Sequence, residues 1–193
     1  MVGDSDRTAW ARARECVAGY VPADEEQLRE QTRILAFLDE HPDALLRTCL
    51  SGHLTSSALL LDASRERALL THHRKLNRWL QLGGHVDGDG DLARSALREG
   101  VEESGIADLI LDPRPMDLDI HTIPAAKDEP EHLHLDVRFE LQAPAGARYQ
   151  VSEESHDLAW VAPSDLERYE TDESVVRLFR RVFGASALPP SLQ

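Results

Sequence analysis

Cysteine is scarce in this chain of 193 residues: Cys16 and Cys49 are the two present, so no disulfide framework is available and no thiolate spacing marks a metal site. No apolar run approaches the roughly 20 residues that a bilayer-spanning helix requires. The opening stretch MVGDSDRTAWARARECVAGY mixes charges throughout, so no leader segment is expected. These absences lead to the expectation of a soluble, cytoplasmic protein in a reducing compartment. Positive charge is also in short supply. Lys and Arg total 21 against 35 Asp and Glu, a net charge of −14, whereas binding long nucleic acid needs a basic surface. A small phosphorylated ligand stays compatible with that balance if a divalent cation or a local basic patch offsets the repulsion. Internal repeats and low-complexity tracts are lacking. The nine histidines are dispersed and offer no HxxxH pair, so no zinc site is expected.

What is present reads as an ordinary globular composition, 41% apolar and 29% charged. The length suits one well-buried core with embellishments. Residues 1–50 read as a helical extension: ADEEQLREQTRILAFLDEH places Leu28, Ile34, Leu35 and Leu38 near one face, Pro22 and Asp24 mark a start, and Pro42 a stop. A second short helix is expected to run through Leu46. Residues 51–190 read as one compact domain. LTSSALLLD and RALLTHH are strand-like, GGHVDGDGD (83–91) is expected to be loop or turn, and LARSALREGVEESG is a helix capped by Asp91 and stopped by Gly105. Strands follow at 116–123, 132–141 and 158–161, then two helices, PSDLERY and ESVVRLFRRVF. Strands interleaved with helices give an α/β (α+β) domain with a mixed β-sheet.

Several polar residues admit two readings. Arg74, Lys75 and Arg78 with His72 and His73 form a basic patch in THHRKLNRW, either a phosphate contact or a solvated loop. His134 and Asp136 share the polar face of their strand and lie on the surface or in a pocket. His85, directly after two glycines, is a phosphate contact or a turn residue. Trp79 and Trp160 are stacking platforms or core.

The sharpest feature is LREGVEESGI, residues 97–106, with three glutamates in five positions and a glycine inside a helix. Like charges at helical spacing repel, and the interior glycine costs about 0.5–1 kcal/mol relative to alanine. On a helical wheel Ala93, Ala96, Leu97 and Val101 share one arc around Gly100, while Glu99, Glu102 and Glu103 occupy the adjacent arc. Such an acidic edge either is solvated or holds a hard divalent ion.

The wider stretch GGHVDGDGDLARSALREGVEESGI, 83–106, resembles the Nudix box, Gx5Ex7REUxEExGU with U apolar. Gly84, Arg98, Glu99, Glu102, Glu103, Gly105 and Ile106 agree without insertion or deletion. Gly90 replaces the usual first glutamate, with Asp89 and Asp91 beside it, and Gly100 occupies an apolar position. The resemblance covers roughly 54–165. It implies an α/β/α sandwich around the mixed sheet, with the N-terminal helices outside it. They would cover the sheet, shape the pocket or form a homodimer contact.

The resemblance further implies a pyrophosphohydrolase that cleaves a phosphoanhydride bond in a small nucleoside diphosphate-linked substrate by attack of water, with Mg²⁺ or Mn²⁺ as cofactor. Glu99 and Glu103 would be principal ligands, Glu102 an additional one, and the carbonyl of Gly83 would complete the set, with Arg98 orienting a carboxylate. The general base would be a box glutamate or a later one, and SEESHDLAW offers Glu153 and the favoured Glu154. Arg74, Lys75, His85, His134 and Asp136 are the expected substrate contacts. Two other readings stand beside this one. Gly90 is compatible with a non-catalytic nucleotide sensor or interaction module. A prenyl diphosphate isomerase would need a reactive cysteine, and Cys16 and Cys49 both precede the first expected strand.

Overall fold

Ten consecutive buried residues make the strand from which the fold extends. In the computed structural model, which describes residues 4–126, 129–153 and 155–193, that strand is β1 (Gly52–Leu61). Strands β2 (Ala68–His73), β3 (Arg78–Leu80), β4 (Leu82–His85), β5 (Ile110–Ile123), β6 (His132–Gln142) and β7 (Ser155–Val161) complete a seven-stranded sheet. Its order is β3-β2-β1-β6-β5, with β4 also paired to β1 and β7 to β2. The helices are α1 (Asp4–Ala18), α2 (Glu25–Glu40), α3 (Leu92–Ser104) and α4 (Glu173–Phe183). The expected α/β architecture with N-terminal helices is therefore the one observed. None of the described helices is long and apolar enough to cross a membrane.

Two compact units can be distinguished. The first holds the described residues of Met1–Ser57 with Gly84–Ala96 and Asp112–Phe139. In it α1 and α2 pack through Ala13, Val17, Ile34 and Leu38, all fully buried. Asp24 caps α2 by accepting from the Gln27 amide. The Gln27 side chain then acts as a surrogate strand partner. Its Nε2 donates to the Leu118 carbonyl and its Oε1 accepts from the Leu118 amide, both at 3.0 Å, which satisfies a main-chain pair on the outer strand β5. Residues 42–48 are turns and a bend, where a short helix was expected through Leu46; only Ala44 and Leu45 are drawn inward.

The second unit comprises Ala58–Gly83, Leu97–Leu111 and Glu140–Gln193. Its strands are antiparallel: Leu60 opposes Leu69, Thr71 opposes Leu80, and Leu70 opposes Ala159. Helix α4 presents Val175, Val176, Leu178 and Phe179 to its core and is capped by Asp172. PSDLERY forms a 3₁₀ turn, Pro163–Arg168.

Three element boundaries differ from expectation, β7 among them, which begins at Ser155 rather than at 158. Gly83–His85 are strand rather than loop, because β4 pairs with β1. Strand β5 starts at Ile110, six residues before the expected 116, and includes Pro113 and Pro115. Proline lacks an amide to donate, and β5 tolerates two of them because it ends the strand order.

Candidate functional site

Helix α3 is fastened at both ends. At its start Asp91 Oδ1 accepts from the Arg94 amide (3.2 Å), and Ser56 Oγ of β1 donates to the Leu92 carbonyl (2.6 Å). At its end the Gln150 amide donates to the Ser104 carbonyl (2.8 Å). Its buried stripe runs through Leu92, Ala93, Ala96, Gly100 and Ser104, while Leu97 and Val101 are only half-buried. The stripe is thus rotated from the expected arc, and Glu103, 7% exposed, lies on it. Gly100 makes the packing possible: a Cβ there would overlap Cδ1 of Leu141 on β6.

The three box glutamates converge. Glu99, Glu102 and Glu103, with Ser152, line a cavity of about 170 Å³. Arg98 Nη1 donates to Glu99 Oε1 (2.6 Å) and lies 3.6 Å from Glu102 Oε2, so one guanidinium spans two of the carboxylates. Glu102 is exposed and Glu99 half-buried. Three carboxylates and a hydroxyl form an all-oxygen donor set, which fits a hard divalent cation such as Mg²⁺ or Mn²⁺. A carboxylate as buried as that of Glu103 is costly unless positive charge or donors compensate it.

The remaining expected site residues are dispersed. Arg74 and Lys75 sit exposed in the β2–β3 turn, where Arg74 Nη2 donates to the Ser155 carbonyl (3.1 Å). Gly83 lies on β4, half-buried. Glu153 is exposed; Glu154 lies outside the described residues. Asp136 is 3% exposed, and its carboxylate accepts from Thr55 (3.0 Å), Ser57 (2.6 Å) and Arg138 Nε (2.8 Å). Arg138 is fully sequestered and also pairs with Asp117 (3.4 Å) and Asp119 (3.1 Å). Asp136 therefore belongs to a buried ion network that the alternating pattern of β6 does not reveal, because both faces of that strand are covered.

His85 and His134 belong to a cluster that corrects the expectation drawn from the dispersed histidines. The His53 ring lies 4.9 Å from that of His85, 5.0 Å from His132 and 4.9 Å from His134, and His121 is 5.4 Å from His134. Burial pushes the basicity of His53 down, and burial followed by repulsion from Arg47 takes His85 to about 4. His134 is pushed further down, by burial first and then by the neighbouring imidazoles. The available signal was His132-x-His134, since residues two apart share a face on a strand, as residues four apart do on a helix.

Trp79 is half-buried, with His72 stacked on it at 5.0 Å and Tyr169 edge-on at 5.0 Å. Burial raises both thiols, Cys16 to about 11, which leaves neither as an activated nucleophile.

Comparison with known proteins gives the chain a context. A family profile described as the NUDIX domain matches residues 52–182. No curated protein sequence matches significantly. Among solved structures, an Ap4A hydrolase from C. elegans in a binary complex is 19% identical, covers 69% of this chain and 96% of its own, and has a TM-score of 0.54. The E. coli dihydroneopterin triphosphate pyrophosphohydrolase is 15% identical over 68% of this chain and 96% of its own, with a TM-score of 0.52. A hydrolase of the same family from Clostridium perfringens is 23% identical over 70% and 95%, with a TM-score of 0.50. At these identities the likeness is one of fold.

Proposed function

Because the chain belongs to the Nudix hydrolase family, whose domain spans residues 52–182, we propose that it is a metal-dependent pyrophosphohydrolase cleaving a phosphoanhydride bond in a small nucleotide-like substrate. The observation that supports this most directly is the convergence of Glu99, Glu102 and Glu103 on one cavity. These three would hold Mg²⁺ or Mn²⁺. When bound, such an ion neutralises pyrophosphate oxygens and acidifies a coordinated water.

The chain's own residues would do the rest. Arg98 fixes the direction of Glu99 and limits its repulsion from Glu102. The Ser152 hydroxyl can donate to a phosphoryl oxygen inside the cavity. Arg74 and Lys75 supply local positive charge on an otherwise acidic chain, which favours approach of an anionic substrate. A glutamate of the 152–160 stretch, with Glu154 favoured by the sequence, would accept the proton of the attacking water. The similar folds include hydrolases named for Ap4A and for dihydroneopterin triphosphate, so compounds of both kinds belong in the test.

The experiment is turnover of a panel of dinucleoside polyphosphates, nucleotide sugars and nucleoside triphosphates with Mg²⁺, comparing wild type with Glu103→Gln. Cleavage of at least one member, reduced about 100-fold or more in the variant, supports the proposal. Absence of cleavage across the panel, or equal cleavage by both proteins, overturns it. One observation favours a second reading, a non-catalytic nucleotide-binding module: a side chain at position 90 would collide with the Ala9 main chain of α1, so the first box glutamate has no room here. Calorimetry showing metal-independent nucleotide binding without turnover would support that reading instead.

A further inference from the structure

A separate group of donors has different chemistry. His53 on β1, and His132 and His134 on β6, each offer a ring nitrogen, and these atoms all lie within 4.8 Å of one another. The two strands are neighbours in the sheet order, so the three imidazoles face one another across a single strand pair. Helical wheels and ligand-spacing motifs miss such a site because its members are 79 and 81 positions apart in the chain, with only the 132/134 pair local.

We propose that His53, His132 and His134 bind one divalent transition-metal ion, Zn²⁺ fitting best, through one ring nitrogen each. Two independent observations carry this. First, His53 is 4% exposed, and neither Nδ1 nor Nε2 makes a hydrogen bond of good geometry among the described residues, the Cys49 main chain offering the ring only a weak contact. An imidazole kept only for packing would be expected to satisfy at least one of its nitrogens, because sealed polar atoms are nearly always paired. Second, a hydrogen bond fixes the His132 tautomer in which Nε2 is the nitrogen able to ligate. Its Nδ1 is 2.9 Å from the Pro130 carbonyl, which can only accept, so Nδ1 carries the donated proton and Nε2 is the nitrogen left to ligate. A carbonyl holding the far nitrogen of a ligating histidine is the usual supporting arrangement.

Donor chemistry selects the ion. Three neutral nitrogens without a carboxylate suit Zn²⁺, Ni²⁺ or Cu²⁺, whereas Mg²⁺ and Ca²⁺ require oxygen ligands. Three protein nitrogens also leave a fourth tetrahedral position, for water or for another imidazole. His85, with its ring 4.9 Å from His53 and 5.2 Å from His134, is positioned to supply that imidazole. His121 flanks the group, held by Asp119 Oδ2 at 3.0 Å from its Nδ1. The site shares no residue with the carboxylate cavity, so it stands or falls independently of the hydrolase assignment.

The test is Zn²⁺ binding to the full chain, stripped of metal and held in excess Mg²⁺, followed by elemental analysis and X-ray absorption at the zinc edge. One retained equivalent with an imidazole-nitrogen shell is expected. Retention should weaken by about 10-fold or more in His132→Gln and His134→Gln, and stay unchanged in Glu103→Gln. No retained zinc, an oxygen-only shell, undiminished retention in folded histidine variants, or loss in the glutamate variant would each overturn the proposal. The absorption measurement on wild type decides the matter even if the histidine variants do not fold.

Discussion

Gly90 lies directly against Ala9: a Cβ built at position 90 would overlap the carbonyl group and Cα of that residue in helix α1. Backbone cannot rotate aside as a side-chain tip can, so Gly90→Ala must displace the helix or strain the loop. Loss of about 1–3 kcal/mol is expected from this overpacking, measured by urea denaturation. Full stability in Gly90→Ala would mean that α1 does not pack there in solution.

Gly100 presents the opposite case, because its obstacle is the flexible end of Leu141. In the wild-type background Gly100→Ala should be neutral to destabilising, the helical gain being offset by crowding. In a Leu141→Ala background, which itself should cost about 2–5 kcal/mol, the same change should become stabilising by about 0.5–1 kcal/mol. A double-mutant cycle reads the reversal of sign.

Arg138 holds three buried or nearly buried carboxylates, those of Asp117, Asp119 and Asp136. Arg138→Met leaves them facing one another and should cost about 3–5 kcal/mol or prevent folding. Arg138→Lys should rescue little, since a single ammonium cannot reproduce the forked contacts of the guanidinium. Calorimetric melting of both variants distinguishes packing from charge.

Acid should reveal Asp62. Burial raises its pKa, but the hydrogen bonds from Arg67 Nε (2.8 Å), the Glu66 amide (3.0 Å) and Ser64 (2.9 Å) outweigh that, so its folded-state value falls below the ordinary 3.8. A lowered carboxylate pKa stabilises the fold above the unfolded value and ceases to do so as pH falls through the folded one. The advantage of wild type over Asp62→Asn should therefore be constant above about pH 4 and shrink below it, as urea unfolding across that range would record.

Chelation provides a further measurement. On the functional assignment proposed above, treatment with EDTA should abolish turnover and added Mg²⁺ or Mn²⁺ should restore it. Turnover that persists in chelator would overturn the metal dependence.

The parts of the fold that were legible in the sequence are those written locally. Helix α3 could be read from Asp91 to Ser104, and α4 from its apolar spacing, because cap and periodicity lie within a few residues of each other. The glutamates of the box could be placed together for the same reason. What escaped were relations between distant segments. Strand β4 depends on β1 for its pairing, so two glycines looked like loop. Glu103 is buried because the helix stripe follows Gly100 and its fit to Leu141, which no wheel contains. Asp136 looked available for a ligand until Arg138, Thr55 and Ser57 were found on it. The histidines looked scattered because a sheet gathers residues by register, not by interval along the chain.

The sequestered polar residues of β1 and β6 also constrain assembly of the sheet. Thr55 and Ser57 meet the same carboxylate, that of Asp136, from alternate positions on one strand. A slip of one residue would turn both hydroxyls to the opposite face and bring Ser56 with an apolar neighbour, Leu54 or Ala58, to that carboxylate, so that Asp136 keeps Arg138 but has one hydroxyl donor in place of two. The ion network therefore acts as a registration mark: misaligned pairings of these strands are penalised electrostatically, which favours a single alignment during folding.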